Sequence, residues 1–188
     1  DSGYEIFLLD SSKVNKLYEI LMKEGGPLGL HAGHTSTIRR IEGGMLSYHS
    51  DMDINTNPLE LGMDKFIELD KKFDFIGKDA LIKINESGIK NKQVGLVIDT
   101  KPLKGPNTKK WRILYKNKCI GKVTSAVYSP RLELNIALAI VKIEYSDINS
   151  VFEIEIKDTL VNAKVVEKPF FDPKKLIAKQ NWLITKKL

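Results

Sequence analysis

The sequence predicts an α+β chain: a helix-bearing first part, then a small antiparallel β barrel or sandwich. Three observations lead there. Apolar residues recur at helical spacing twice before residue 89, over Val14–Leu21 and Ala80–Ile84. After Lys90 the composition shifts to short runs rich in β-branched and aromatic residues. Turn-forming residues separate those runs, as in a closed or sandwiched antiparallel sheet.

Taken in order, Tyr4–Leu9 reads as a strand, with Tyr4, Ile6 and Leu8 on one face and Glu5, Phe7 and Leu9 on the other. Ser11 or Ser12 is expected to cap the helix that follows. Val14, Leu17, Tyr18 and Leu21 make its apolar stripe, and Gly25-Gly26-Pro27 stops it. A loop carrying His31 and His34 leads to a short helix over Thr37–Gly43, capped by Thr35 or Ser36. Met45–Ser50 is read as extended, Asp51–Asn57 as a polar turn and Pro58–Leu61 as the start of a short helical segment. A second clear helix starts at Lys78-Asp79 and ends at Ser87-Gly88. The β-prone runs are Gln93–Ile98, Trp111–Tyr115, Cys119–Val127, Asn135–Ile143, Val151–Ile156 and Leu160–Val166. The expected division is 1–88, then a β domain over 89–171, then a basic tail over 172–188. Leu176, Ile177, Trp182, Leu183 and Ile184 are the tail's apolar positions, suited to a docking helix or to a loose end.

The chain has 188 residues, 42% of them hydrophobic, which suits a folded globular protein. No run of about 18 apolar residues is present, so no membrane partner is expected. The opening DSGYEIFLLD does not read as a signal peptide. It starts directly on a strand without Met, which reads as a fragment or a processed product with structure missing upstream. A single cysteine, Cys119, excludes an internal disulfide and favours a reducing, cytoplasmic setting; it is expected to be buried packing. Thirty Lys and Arg against 24 Asp and Glu give a net charge of +6, which attracts anions. Nucleic acid is not expected, since aromatic–basic interleaving is sparse and no nucleic-acid motif occurs. A lysine-rich proteome or a polyanionic cofactor each accounts for the surplus.

Several residues invite a chemical reading beside a structural one. Glu5 is either a solvated glutamate on an edge strand or a bidentate acceptor for an amidine-like ring edge. The residues alone favour the solvated form. Arg39, Arg40 and Glu42 are an ordinary helix-end ion pair, or a forked guanidinium that reaches a carboxylate or holds a site loop. Gly43-Gly44 would then permit close approach. Tyr48 packs with its hydroxyl on backbone or on a ligand. His31, His34 and His49 lack the flanking acids or thiols of a metal site, and none is expected. No phosphate loop, dinucleotide fingerprint or nucleophile elbow is present.

Three segments, in order, resemble the folate-dependent aminomethyltransferases of the glycine cleavage T-protein family. SGYEIF is similar to its Asp/Gly-Gly-x-Glu-Ile segment. RRIEGGMLSYHSDMD resembles its Arg-Leu-Glu-Ala-Gly-Leu-x-Leu-Tyr-Gly-x-Asp segment. IGKVTSAVYSPRLELNIALAIV is similar to its Gly-x-Val-Thr-Ser-Gly-x-x-Ser-Pro segment and the Asn-Ile-Gly-Met-Gly that follows. The resemblance covers residues 1 to about 172. It implies the C-terminal part of a folate-binding α+β domain followed by a β-barrel domain, with the catalytic half upstream. It also implies tetrahydrofolate as cofactor, with Glu5 on the pterin edge, Phe7 beside it, Arg39 or Arg40 organising the site and Tyr48 packing near it.

Two departures bear on the activity. The family usually has Ala-Arg-Asp before its Leu-Arg-Leu-Glu, and Ser36 stands at that arginine's place. Relatives often have Tyr where this chain has Phe7. The Ser-x-Ile-x-Arg-Ile-Glu pattern looks more like the related dimethylsulfoniopropionate demethylases. The resemblance thus implies a methyl transferase taking a small-molecule sulfonium or amine donor, inactive without its missing N-terminal half. The alternatives are an aminomethyltransferase partnered by a lipoyl carrier protein, and a noncatalytic folate-binding factor on the same fold.

Overall fold

The computed structural model describes residues 4–33 and 36–179. The chain forms two compact units, Asp1–Ser36 with Lys175–Leu188, and Thr37–Lys174. The second unit runs across the position near residue 89 where composition changes.

In the first unit, α1 (Val14–Gly25) follows a single 3-10 turn over Ser11–Lys13. The cap is Asp10 rather than Ser11 or Ser12, because the Asp10 carboxylate accepts from the backbone N–H of Ser12 at 3.1 Å. The same carboxylate is held by Ser12 and Lys13, which lower its pKa. Gly26-Pro27-Leu28 turns the chain away, and Gly29 takes the left-handed φ of 89° that ends it. Tyr4–Leu9 is not a strand. A strand requires a ladder partner for its backbone, and no described residue pairs with it.

The second unit is built on a closed six-stranded antiparallel barrel. Its strands are β1 (Asn91–Ile98), β2 (Trp111–Tyr115), β3 (Lys118–Ser129), β4 (Leu134–Lys142), β5 (Val151–Ile156) and β6 (Thr159–Val166). The order around the wall is β1-β4-β3-β2-β5-β6, with β6 closing on β1. Two-residue turns join β2 to β3 and β5 to β6. Lys116-Asn117 and Lys157-Asp158 have positive φ at both positions, as twisted hairpins demand.

Closure explains the sequence pattern. Val94, Leu96, Ile98, Ile113, Val123, Phe152, Ile154 and Val165 fill one core together with Ala126, Ala137, Ala139 and Ala163. Small residues among large ones suit a narrow bore. β4 is buried on both faces: Ala137, Ala139 and Val141 belong to that core, while Ile136 and Leu138 belong to a second cluster with Ile41 and Val127. Hence IALAIV, Ile136 to Val141, is continuously apolar instead of alternating. A register shift between Val123 and Ser125 resets the alternation of β3, so Ala126 joins the first core and Val127 the second. Gly121 sits where β3 crosses β4 closely; a Cβ there would lie 2.3 Å from the Ile140 carbonyl oxygen.

Before the barrel come α2 (Thr37–Glu42) and α3 (Lys78–Ser87). The segment between them is irregular. Met45–Ser50 is a loop with one isolated bridge, Tyr48 to Met52, and Pro58–Leu61 is a turn, not a helix. Cys119 is exposed, not buried, because it lies at the hairpin end of β3 outside the enclosed part of the barrel. The tail begins with a short α4 (Leu176–Lys179); Trp182, Leu183, Ile184 and His34 lie outside the described residues. No described helix is long and apolar enough to cross a membrane.

Candidate functional site

The RRIEGG segment lies across the outer face of β3 and β4, and its side chains alternate polar, apolar, polar against an equally alternating strand. On β3 the outward residues are Ser125, Val127 and Ser129. Opposite them on α2 are Arg40, Ile41 and Glu42. Ile41 is 0% exposed and packs with Val127, Ile136 and Leu138. A polar cluster flanks this apolar centre on each side.

The first cluster centres on Asp51, whose side chain is 0% exposed. Its Oδ2 accepts from Arg40 Nη1 at 2.6 Å and from the Ser47 N–H at 2.9 Å. Its Oδ1 lies 2.7 Å from Ser125 Oγ and 2.6 Å from Thr124 Oγ1. Arg40 also donates to Ser125 Oγ and to the Met45 carbonyl, each at 2.9 Å. Two carboxylate oxygens thus serve four donors, which fills their accepting capacity. A buried ion pair satisfied this fully holds its geometry rigidly. It ties both ends of the Met45–Met52 loop to the barrel.

The second cluster centres on Glu42. Its Oε1 accepts from Ser129 Oγ at 2.6 Å, and Arg131 Nη1 stands 3.7 Å from Oε2. The Glu42 carbonyl accepts from the N–H groups of Phe170 at 2.8 Å and Phe171 at 3.1 Å. The Arg131 guanidinium lies 4.1 Å from the centre of the Phe171 ring. This cluster fastens the chain leaving the barrel to the helix that precedes it.

On the loop between, Tyr48 is 56% exposed and meets His49 edge-on at 4.4 Å between ring centres. His49 has a φ of 68°, in the region that favours glycine. Close by, Lys168 is half-buried, and burial first, then the charge of Lys92, depresses its pKa to about 8. Asp53 at the loop's far side has its pKa lowered, chiefly by the Asn55 N–H.

Of the five expected site residues, the second unit holds Arg40 on α2, bonded to Met45 and Asp51, and Tyr48 on the loop between those two. Arg39 is exposed on α2. Glu5 and Phe7 are exposed in the first unit, Phe7 at 82%. A surface pocket of about 490 Å³ is walled by Leu59, Asp64, Ile67, Glu68, Asp70 and Asn85, and by none of these five. Among the described residues no group of His, Cys, Asp and Glu is placed to hold a metal ion. Glu5 stands exposed in its own unit, and Arg40 is committed to Asp51 and Ser125. Sequence reasoning missed Asp51, Ser125, Ser129 and Lys168. The alternation Ser125-Val127-Ser129 carried the signal for the two serines: two hydroxyls either side of a valine on one strand face, matching Arg40-Ile41-Glu42.

These features define a class: a small closed barrel with a short helix clamped to its flank by two buried carboxylates. The family model described as the glycine cleavage T-protein C-terminal barrel domain matches residues 91–172. The model described as the GCVT N-terminal domain matches residues 1–71. An aminomethyltransferase of Prochlorococcus marinus is 37% identical over 172 residues, 91% of this chain and 44% of that protein. Aminomethyltransferases of Listeria innocua (34% identical, 91% of this chain, 46% of that protein) and Clostridium botulinum (36%, 93% and 46%) are also similar. The crystal structure of glycine cleavage system aminomethyltransferase T from Bartonella henselae shares the fold, with a TM-score of 0.72 at 19% identity, over 85% of this chain and 44% of that one. The chain belongs to the glycine cleavage T-protein family. It spans less than half the length of the curated relatives it matches.

Proposed function

We propose that this chain is the C-terminal portion of a tetrahydrofolate-dependent one-carbon transferase. The observation that carries the reading is the pair of family models, matched in order over residues 1–71 and 91–172. The clamped RRIEGG…Asp51 segment, the stretch that most resembles the family, supports it. In the intact enzyme this portion supplies a rigid wall, and Glu5 and Phe7 meet the pterin once the remaining part of the fold covers them. Binding and alignment of the two reactants then account for most of the rate enhancement.

Two donors are compatible with the family. Ser36, at the place of the family's arginine, favours a small sulfonium or amine methyl donor, as in the demethylase branch. The printed names of the relatives favour an aminomethyl group delivered by a lipoyl carrier protein. A donor screen on the intact enzyme separates them, by formation of 5-methyltetrahydrofolate in one case and of methylenetetrahydrofolate in the other. Calorimetry with tetrahydrofolate tests what both share. Glu5→Ala is expected to weaken binding about 30-fold, the worth of one or two hydrogen bonds to a charged acceptor. Unchanged affinity would remove Glu5 from the site, and no binding by the intact enzyme would remove the reading itself.

A further inference from the structure

The chain leaving β6 crosses the end of α2 as a strap over residues 167–171. The last carbonyls of a helix need donors from beyond it. Those of Arg39, Arg40 and Ile41 receive from the N–H groups of Gly43, Met45 and Gly44, each at 2.9 Å. The Glu42 carbonyl takes the N–H groups of Phe170 and Phe171 instead, so the strap completes the helix end. The strap also lies directly on the turn that follows. A Cβ at Gly44 would stand 3.6 Å from both Lys168 Cβ and Pro169 Cα.

Phe170 anchors the strap. It packs against the cluster of Ile41, Val127, Ile136 and Leu138, and its ring lies on Gly95 of β1. A Cβ at Gly95 would come within 3.0 Å of Phe170 Cζ and 3.2 Å of its Cε1, so a side chain there displaces the ring. On the other side of the strap, Phe171 holds Arg131 over its ring, and Arg131 faces the Glu42 carboxylate. The last residue of α2 is thus held through its backbone and, by way of Arg131, through its side chain. The same short helix carries Arg40, which bonds the Met45 carbonyl and Asp51. The strap and the loop that displays Tyr48 and His49 therefore share one support.

We infer that the strap is the positioning element for the loop over residues 45–52, with Phe170 as its positioning residue. Seated on Gly95, Phe170 keeps two donors on the Glu42 carbonyl, α2 keeps its end, and Arg40 meets Asp51 with the loop in one geometry. Unseated, α2 loses its outer fastening and the loop opens locally, while the closed ladder of the barrel stays intact. Tyr48 and His49 are then presented by a lever that begins on the far strand β1. In the proposed folate enzyme this lever sets how firmly the loop meets the cofactor.

The test follows amide hydrogen exchange on the full chain by mass spectrometry. The reporters are the loop amides of His49 and Asp51, bonded to the Met52 and Ser47 carbonyls at 2.8 Å each. Phe170→Ala is expected to speed their exchange about tenfold and to leave β1 and β4 within about twofold. Phe170→Leu, which keeps the cluster filled but withdraws the ring from Gly95, is expected to give about threefold. Gly95→Ala, which meets Phe170 and Val166, is expected to act on the loop in the same direction as Phe170→Ala. Unchanged loop exchange in the Phe170 variants, or a rise equal in loop and barrel, overturns the inference; if Phe170→Ala does not fold, Phe170→Leu decides. A second readout rests on the folate reading: in the intact enzyme, Phe170→Leu is expected to raise the KM for tetrahydrofolate a few-fold with kcat nearly kept. Faster loop exchange with an unmoved KM would uphold the strap and remove Tyr48 from the folate site, so the two failures are distinguishable.

Discussion

The barrel and the opening segment carry apolar residues in comparable patterns, yet bury them to opposite degrees. Leu96, Ile113, Leu138 and Ile154 of the barrel are 0% exposed. Tyr4, Phe7 and Leu9 of the opening segment are 99%, 82% and 102% exposed, and α1 buries no residue at all. The difference lies in what each region can close upon. Six strands that return to their own first strand leave no edge and enclose both their hydrogen bonds and their side chains. A helix satisfies its backbone alone but its apolar stripe needs a second surface. Tyr4–Leu9 can do neither by itself, which is why a β-prone run forms no strand here. Local pattern is enough to specify an element; burial is a property of two surfaces.

The contrast can be broken most forcefully at the clamp. Asp51→Ala is expected to cost about 4 kcal/mol, because it leaves Arg40 without its carboxylate and the Ser125 hydroxyl without its acceptor. Urea unfolding followed by far-ultraviolet circular dichroism measures it; a loss below about 1 kcal/mol would mean that the cluster does not hold the helix. Leu96→Ala, in the barrel core, is expected to cost about 3 kcal/mol by the same assay. If it costs less than about 1 kcal/mol, the bore is not close-packed.

A smaller effect is expected from pH. The folded pKa of Lys168, about 8, is below its unfolded value of 10.5. Between those two values the unfolded chain holds the proton that the folded chain has released, so folding stability rises with pH across that window. Screening by solvent at this half-buried site holds the gain to about 1 kcal/mol. Comparing the pH dependence of unfolding with that of Lys168→Met isolates it, since the variant lacks this group; parallel profiles would show that Lys168 titrates normally. Smallest of all, Leu9→Ser is expected to change stability by less than about 0.5 kcal/mol in this chain. A larger loss would reveal cover over the opening segment and erase the contrast.

How much could be read beforehand follows the same division. The six strands were legible because their bounds are set locally, by turn residues such as Lys116-Asn117 and by β-branched runs between them. Both main helices were legible for the same reason. Met45–Ser50 was misread because its apolar residues serve a loop fixed by Arg40 and Asp51, a contact eleven residues apart in the chain. The clamp itself joins residues 74 to 87 apart, Asp51 to Ser125 and Glu42 to Ser129, and nothing local announces such pairings. Cys119 looked buried because strand residues beside isoleucine usually are; its place at a hairpin end decided otherwise. Of the candidate site, the motif was legible and its work was not. Arg40 had the chemistry to hold either a ligand or a loop, and only its distance to Asp51 separates the two.

A double-mutant cycle on that pair is therefore the most direct test: Arg40→Met, Asp51→Asn and both together, each unfolded in urea. A fastening predicts that the second substitution costs little once the first is made, with a coupling energy of about 2 kcal/mol. Strictly additive losses would contradict it, and would return Arg40 to the role of a ligand-binding hand.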